Sequence, residues 1–166
     1  MPELNRDKVR AELERMEEDC THSGKSHFNA ADRWARWNYI FGIPSVILST
    51  AAGATFFKDY PVAAGSMALT VAVLTSLMTF LKPGEKSSDH KSSGDQYLAL
   101  RNNSRVFREI TLDSVDDETA RTALEGLTTR RDELNQASPP FSNGDYRKAK
   151  KGIDEGEAKH AVDKKR

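Results

Sequence analysis

The chain has 166 residues, with 25 Lys plus Arg balanced by 25 Asp plus Glu and only 37% apolar residues. Net neutrality supplies no global positive field to gather phosphates, so there is no reason to expect nucleic acid as a partner. A single cysteine, Cys20, excludes an internal disulfide framework and any multi-cysteine metal site. The charged opening residues Glu3, Arg6, Asp7, Lys8 and Arg10 exclude the apolar core of a signal peptide.

Residues 1–36 read as an N-terminal cytoplasmic helix region. Val9, Leu13, Met16 and Cys20 recur at spacings of four, three and four, one apolar edge on an otherwise charged helix. So narrow an edge does not fold alone and needs a partner helix. Ser23-Gly24-Lys25-Ser26 interrupts the pattern, and Phe28, Ala31 and Trp34 then lead toward the apolar part of the chain.

No charged residue lies in 37–57 or in 61–81. At about 1.5 Å per residue each run spans about 31 Å, the thickness of a hydrocarbon core of about 30 Å. One ionised side chain at mid-bilayer costs on the order of 3 kcal/mol, and helices of a soluble core usually keep a polar face. The two runs are therefore expected to form a transmembrane hairpin over 37–81, joined by Lys58-Asp59-Tyr60. Lys25, Arg33 and Arg36 before it and Lys82, Lys86 and Lys91 after it place both termini in the cytoplasm, since Lys and Arg favour that side. Trp34, Trp37, Tyr39 and Tyr60 stand where interfacial aromatic anchors are expected.

Small residues mark candidate packing surfaces. Ser45, Ser49 and Gly53 recur every four residues in the first run, and Ala64, Ala68, Ala72 and Ser76 do so in the second. In lipid, helices associate where small side chains let backbones approach. These stripes serve either contact between the two spans of one chain or contact between chains. Ser66, Thr70, Thr75 and Thr79 are candidates to line water in a ring of hairpins; alternatively they bond back to their own helix carbonyls. Pro44 lacks a backbone donor and clashes with the carbonyl of Ile40, so a kink or a helix start is expected there.

Lys82-Pro83-Gly84 stops the second span and opens a stretch of cytoplasmic helices over 82–138. Ser87-Ser88 and Ser92-Ser93-Gly94 are loop or cap signals. Tyr97, Leu100, Ser104 and Phe107, with Leu98 and Ile110 nearby, mark an amphipathic helix. Asp113-Ser114 can cap the next, whose edge is Leu124, Leu127 and Leu134, and Pro139-Pro140 ends it. The edges fit either a small bundle beneath the membrane or coiled-coil pairing between chains. The charged tail, 139–166, is expected to be solvated; Arg147, Lys148, Lys150 and Lys151 could otherwise meet anionic headgroups.

No catalytic chemistry is visible. His22, His27, His90 and His160 show no paired metal-ligand spacing, and no phosphate loop, GxSxG elbow or HExxH motif occurs. Asp89, His90 and Asp95 cluster after the second span without a nucleophile. Cys20 reads as an apolar contact residue. No charge inside either span could run a proton relay. Neither an enzyme, a cofactor nor a metal is expected.

The chain resembles the SLATT family, the two-transmembrane effector domain associated with SMODS nucleotidyltransferases and SLOG proteins in prokaryotic conflict systems. The likeness is carried by His27-Phe28-Asn29-Ala30-Ala31-Asp32-Arg33, Gly42-Ile43-Pro44-Ser45, Thr50-Ala51-Ala52-Gly53 and Phe80-Leu81-Lys82-Pro83. It continues in His90, Tyr97-Leu98-Ala99-Leu100-Arg101, Leu134-Asn135, Pro139-Pro140 and Tyr146-Arg147-Lys148-Ala149-Lys150-Lys151-Gly152-Ile153. The resemblance implies an all-α membrane effector of an anti-phage system that assembles as a homo-oligomeric pore in the cytoplasmic membrane and arrests or kills the cell. It implies a trigger from a separately encoded nucleotide synthase or sensor. The competing expectation is a passive membrane anchor or scaffold that recruits a cytoplasmic partner.

Overall fold

The structure, a computed structural model, describes residues 4–53 and 59–158. The end of the first charge-free run, Lys58 of the connection, and the tail beyond residue 158 with His160 lie outside the described residues. Among the described residues five α-helices follow one another: α1 Arg6–Ala52, α2 Pro61–Leu81, α3 Pro83–Val106, α4 Asp117–Ala137 and α5 Asn143–Asp154. A π-helical turn, Phe107–Thr111, extends α3, and no strand occurs among the described residues. The chain divides into two compact units, Met1–Ala30 with Asp89–Arg166, and Ala31–Ser88.

In the first unit the expected edge of α1 finds its partners. Met16 and Cys20 pack with Tyr97, Leu100 and Leu134, while Val9 and Leu13 pack with Leu112 and Ala120. Leu127 touches both groups. Fully burying a Leu is worth about 1.5–3 kcal/mol, so Leu13, Leu100, Leu112 and Leu134 outweigh the surface ion pairs, each worth at most about 1 kcal/mol. Arg108 is better shielded than most; its Nε sits 2.7 Å from Glu17 and its Nη1 3.2 Å from Glu14.

Several expected breaks are absent, each for a packing reason. Gly24 and Gly94 lie inside continuous helices, where their missing side chains let α1 and α3 approach closely. A Cβ on Gly94 would stand 2.9 Å from the Phe28 ring, and one on Gly24 3.4 Å from Tyr97 Cβ. The cap of α4 is Asp116, which accepts from Thr119 N at 2.8 Å. Asp113 pairs instead with Arg10, and Ser114 Oγ donates to Thr111 O at 2.8 Å. Ile110 is exposed because the π turn inserts one residue, closed by Leu112 N donating to Phe107 O at 2.8 Å. That extra residue rotates Leu112 into the core. The tail is ordered through α5, whose capping box joins Ser142 and Asp145 and whose buried face is Asp145, Ala149 and Gly152.

In the second unit, α1 continues through Pro44, which is neither a helix start nor a stop. Ser45 Oγ donates to Phe41 O at 2.7 Å in the adjoining turn. Lys82 adopts a left-handed backbone, φ 47°, donating to Met78 O at 2.9 Å; this ends α2, and Pro83 opens α3 as a first-turn proline should. Ser87 Oγ donates to Ala31 O at 2.9 Å, Lys86 Nζ lies 4.3 Å from the Trp34 ring centre, and Gly84 faces Asn38. Further along, Gly42 faces Met78, where an added Cβ would be 3.6 Å from the methyl. The contacts thus run antiparallel along α1.

Candidate functional site

The surface of the second unit is the feature a soluble fold would not tolerate. None of α2 is buried, and Val62 and Phe80 are 85% and 84% exposed. Tyr39, Ile40, Ile43, Val46 and Ile47 of α1 are likewise exposed. At 21 residues α2 spans about 32 Å and is long and apolar enough to cross a membrane.

Partial burial traces the intrachain seam. On α2 it falls on Ala63, Ala64, Met67, Val71, Leu74, Met78 and Leu81, and on α1, around buried Ser45, on Asn38, Phe41, Gly42, Leu48, Ala51 and Ala52. With Ala63, Gly42 and Ala51 as neighbours beside it, the main line on each helix alternates steps of three and four, the spacing that keeps a seam facing its partner. A four-residue repeat instead drifts by about 40° per step. Ser45 and Ala64 therefore lie on the seam, while Ser49, Gly53, Ala68, Ala72 and Ser76 turn away from it and are exposed.

Those that turn away on α2 form a surface of their own. At about 100° per residue, Gly65, Ala68, Ala72, Thr75, Ser76 and Thr79 share one flank, about a third of a turn from the seam. Val62, Leu69, Val73 and Phe80 lie roughly opposite the seam, and Ser66 and Thr70 fall on the other flank. An open groove runs over Ala68, Ala72, Thr75, Ser76 and Thr79, and nothing stands within 4 Å of a Cβ built on Gly65. Most hydroxyl donors are satisfied within the helix: Ser66 bonds Ala63 O at 2.8 Å, Thr70 bonds Ser66 O at 2.9 Å, Ser76 bonds Ala72 O at 2.7 Å and Thr79 bonds Thr75 O at 2.9 Å. Such groups enter lipid or a helix interface without a stranded donor, and still offer oxygen lone pairs to water.

In the first unit, the histidines that looked scattered converge in one case. His27 Nδ1 and His90 Nδ1 are 3.0 Å apart and buried. His27 stacks on Tyr97 and meets Phe141 edge-on. Burial, with the neighbouring His90 second, pushes the His27 pKa down to about 4. Tyr97 Oη donates to Asn135 Oδ1 at 2.8 Å, and Asn29 Nδ2 to Asp145 O at 3.1 Å. The sequence signal was phase: Cys20, Gly24, His27 and Ala31 continue the apolar edge that Ser23–Ser26 seemed to interrupt. Burial pushes the Cys20 thiol up to about 11, which keeps it protonated and unreactive. No cluster of three metal-ligating side chains occurs among the described residues.

These features define an all-helical protein with a charged bundle and an apolar unit fit for a membrane. The sequence model of SMODS and SLOG-associating 2TM effector domain family 4 matches residues 7–165, and the chain belongs to that family. The family is one of two-transmembrane effector domains associated with conflict systems rather than of known enzymes, and among the described residues one helix of this chain is long and apolar enough to cross a membrane. No curated protein and no solved structure matches it.

Proposed function

We propose that the chain crosses the inner membrane as a two-helix hairpin and that copies assemble through the small-residue flank of α2 into a pore. The pore dissipates the membrane gradient and arrests or kills the cell under attack by phage. The observation carrying this reading is the flank Gly65, Ala68, Ala72, Ser76, which the intrachain seam leaves open. Small side chains give a second helix the close backbone approach that drives association in lipid. The bulky face of Val62, Leu69, Val73 and Phe80 suits lipid tails, and Thr75 and Thr79, which share the flank, are candidates to touch water.

Orientation follows from charge. Arg33 and Lys86 gather on Trp34, and Arg36 and Lys82 belong to the same end of the unit. Lys and Arg favour the cytoplasmic side, which supports a topology with both termini inside. A separately encoded nucleotide synthase or sensor, of the types in the family's name, supplies the trigger.

The test is dye release from liposomes carrying the purified chain together with its partner system, with membrane potential in cells as the companion readout. Ala68→Leu with Ala72→Leu should abolish release, while Leu69→Ala on the lipid face should preserve it. If the double variant leaks as fast as the parent, the flank is not an assembly surface and a passive anchor becomes the better reading.

A further inference from the structure

Within the first unit, a half-open cavity of about 320 Å³ lies between α1 and α3 and is bordered by the turn after α5. Its floor is apolar, from Cys20, Phe28 and Leu98, and two cations reach it from different helices, Lys25 of α1 and Arg101 of α3. The chain's own C-terminal turn occupies both. The Lys25 ammonium pairs closely with the Glu157 carboxylate, and Arg101 Nη2 donates to Ala158 O at 3.1 Å.

The turn is shaped for that purpose. Gly156 takes φ +89°, and Glu157 N donates to Gly152 O at 3.0 Å, which folds Glu157 back over the end of α5. A side chain on Gly152 would collide with the Glu157 carboxylate and stand 2.9 Å from Lys25 Nζ. The bare backbone at that position is what admits the pair. Lys25 is 24% exposed and Glu157 58%. The acid can therefore leave by unwinding one surface turn, whereas the cations stay fixed on packed helices and would then need another anion. Removing Glu157 leaves two positive charges over an aromatic floor, and the volume falls at the small end of the ligand-site range of about 300–1,000 Å³.

We propose that this cavity binds a small phosphorylated molecule through Lys25 and Arg101, and that Glu157 is a built-in competitor that holds it closed. A phosphate dianion matches the two cations, with Arg101 able to grip two oxygens at once, and the remainder of the ligand packs on Phe28. The site is defined by binding alone and stands whether or not copies assemble into a pore.

Titration calorimetry on the full chain in detergent, with phenyl phosphate as probe and inorganic phosphate for comparison, tests it. Phenyl phosphate should bind the parent weakly and more tightly than inorganic phosphate. Glu157→Gln should tighten binding by about tenfold, the equivalent of one lost ion pair in a semi-buried site. Lys25→Met and Arg101→Gln should each weaken binding by about tenfold or more, with helicity by circular dichroism confirming that they fold. Repeating the titration in vesicles of phosphatidylcholine with and without phosphatidic acid distinguishes the phosphate's source. Loss of the phenyl phosphate signal only with phosphatidic acid assigns a lipid headgroup; equal binding in both assigns a free solute. Absence of binding to Glu157→Gln, or binding indifferent to both Lys25→Met and Arg101→Gln, overturns the proposal.

Discussion

His27 and His90, 63 positions apart, share one hydrogen bond between Nδ1 atoms in an aromatic box of Tyr97 and Phe141. One ring must donate and the other accept, so the accepting ring is neutral in the folded bundle. With its pKa held down to about 4 against an ordinary 6.5, His27 takes up a proton in the unfolded chain well before the folded one. The stability it confers is complete above about pH 6.5 and is lost as pH falls toward about 4, on the order of 3 kcal/mol in all. Thermal melts in detergent should therefore show a midpoint that drops between about pH 7 and about pH 4.5, a slope that His27→Phe flattens. Equal midpoints would contradict a neutral His27. Cys20 makes a second prediction at this scale: maleimide should label it at neutral pH only after denaturation. Labelling at the rate of a free thiol would refute its burial. The pairing of His27 with His90 was not legible in the chain, because hydropathy patterns mark which face a residue shares and not which distant residue it meets. What could be read was phase, and polar His27 hid in an apolar edge for that reason.

Helix boundaries were legible where a backbone constraint enforced them and not where packing overrode propensity. Pro83, which begins α3 right after left-handed Lys82, and Pro139-Pro140 after α4 were plain signals. Gly24, Gly94 and Pro44 were misleading, since a glycine that admits a neighbouring helix looks in sequence like one that ends its own. The two uses separate on substitution. Gly126→Ala, in open space on α4, should stabilise by about 0.5–1 kcal/mol through helix propensity. Gly94→Ala meets the Phe28 ring at 2.9 Å and should destabilise by about 1–3 kcal/mol despite the same propensity gain. Urea unfolding followed by circular dichroism measures both. Two shifts of the same sign would show that α1 and α3 are not in contact at Gly94. The tail reads as solvated by composition, yet Ser142 and Asp145 box the start of α5 and three small or capped residues bury its face.

At the scale of the whole molecule, charge segregation marked the charge-free runs 37–57 and 61–81, for a bilayer-length run without charge has few other uses. The likeness to two-transmembrane effectors was equally legible, and a family match over residues 7–165 supports it. The division of labour around α2 was not legible. Small-residue stripes at four-residue spacing suggest a seam, but the intrachain seam follows alternate threes and fours through Met67, Val71, Leu74 and Met78. Only coordinates distinguish the two, because the stripes share Ala64 and diverge by about 40° at each further step. That divergence leaves Ala68, Ala72 and Ser76 open for another copy. The most direct check is the mass of the chain in lipid nanodiscs or mild detergent by light scattering, for the parent, Ala68→Leu with Ala72→Leu, and Leu69→Ala. Assembly through the flank predicts an oligomer for the parent and for Leu69→Ala, and a monomer for the double variant. A monomeric parent, or a double variant of unchanged oligomeric mass, would contradict it.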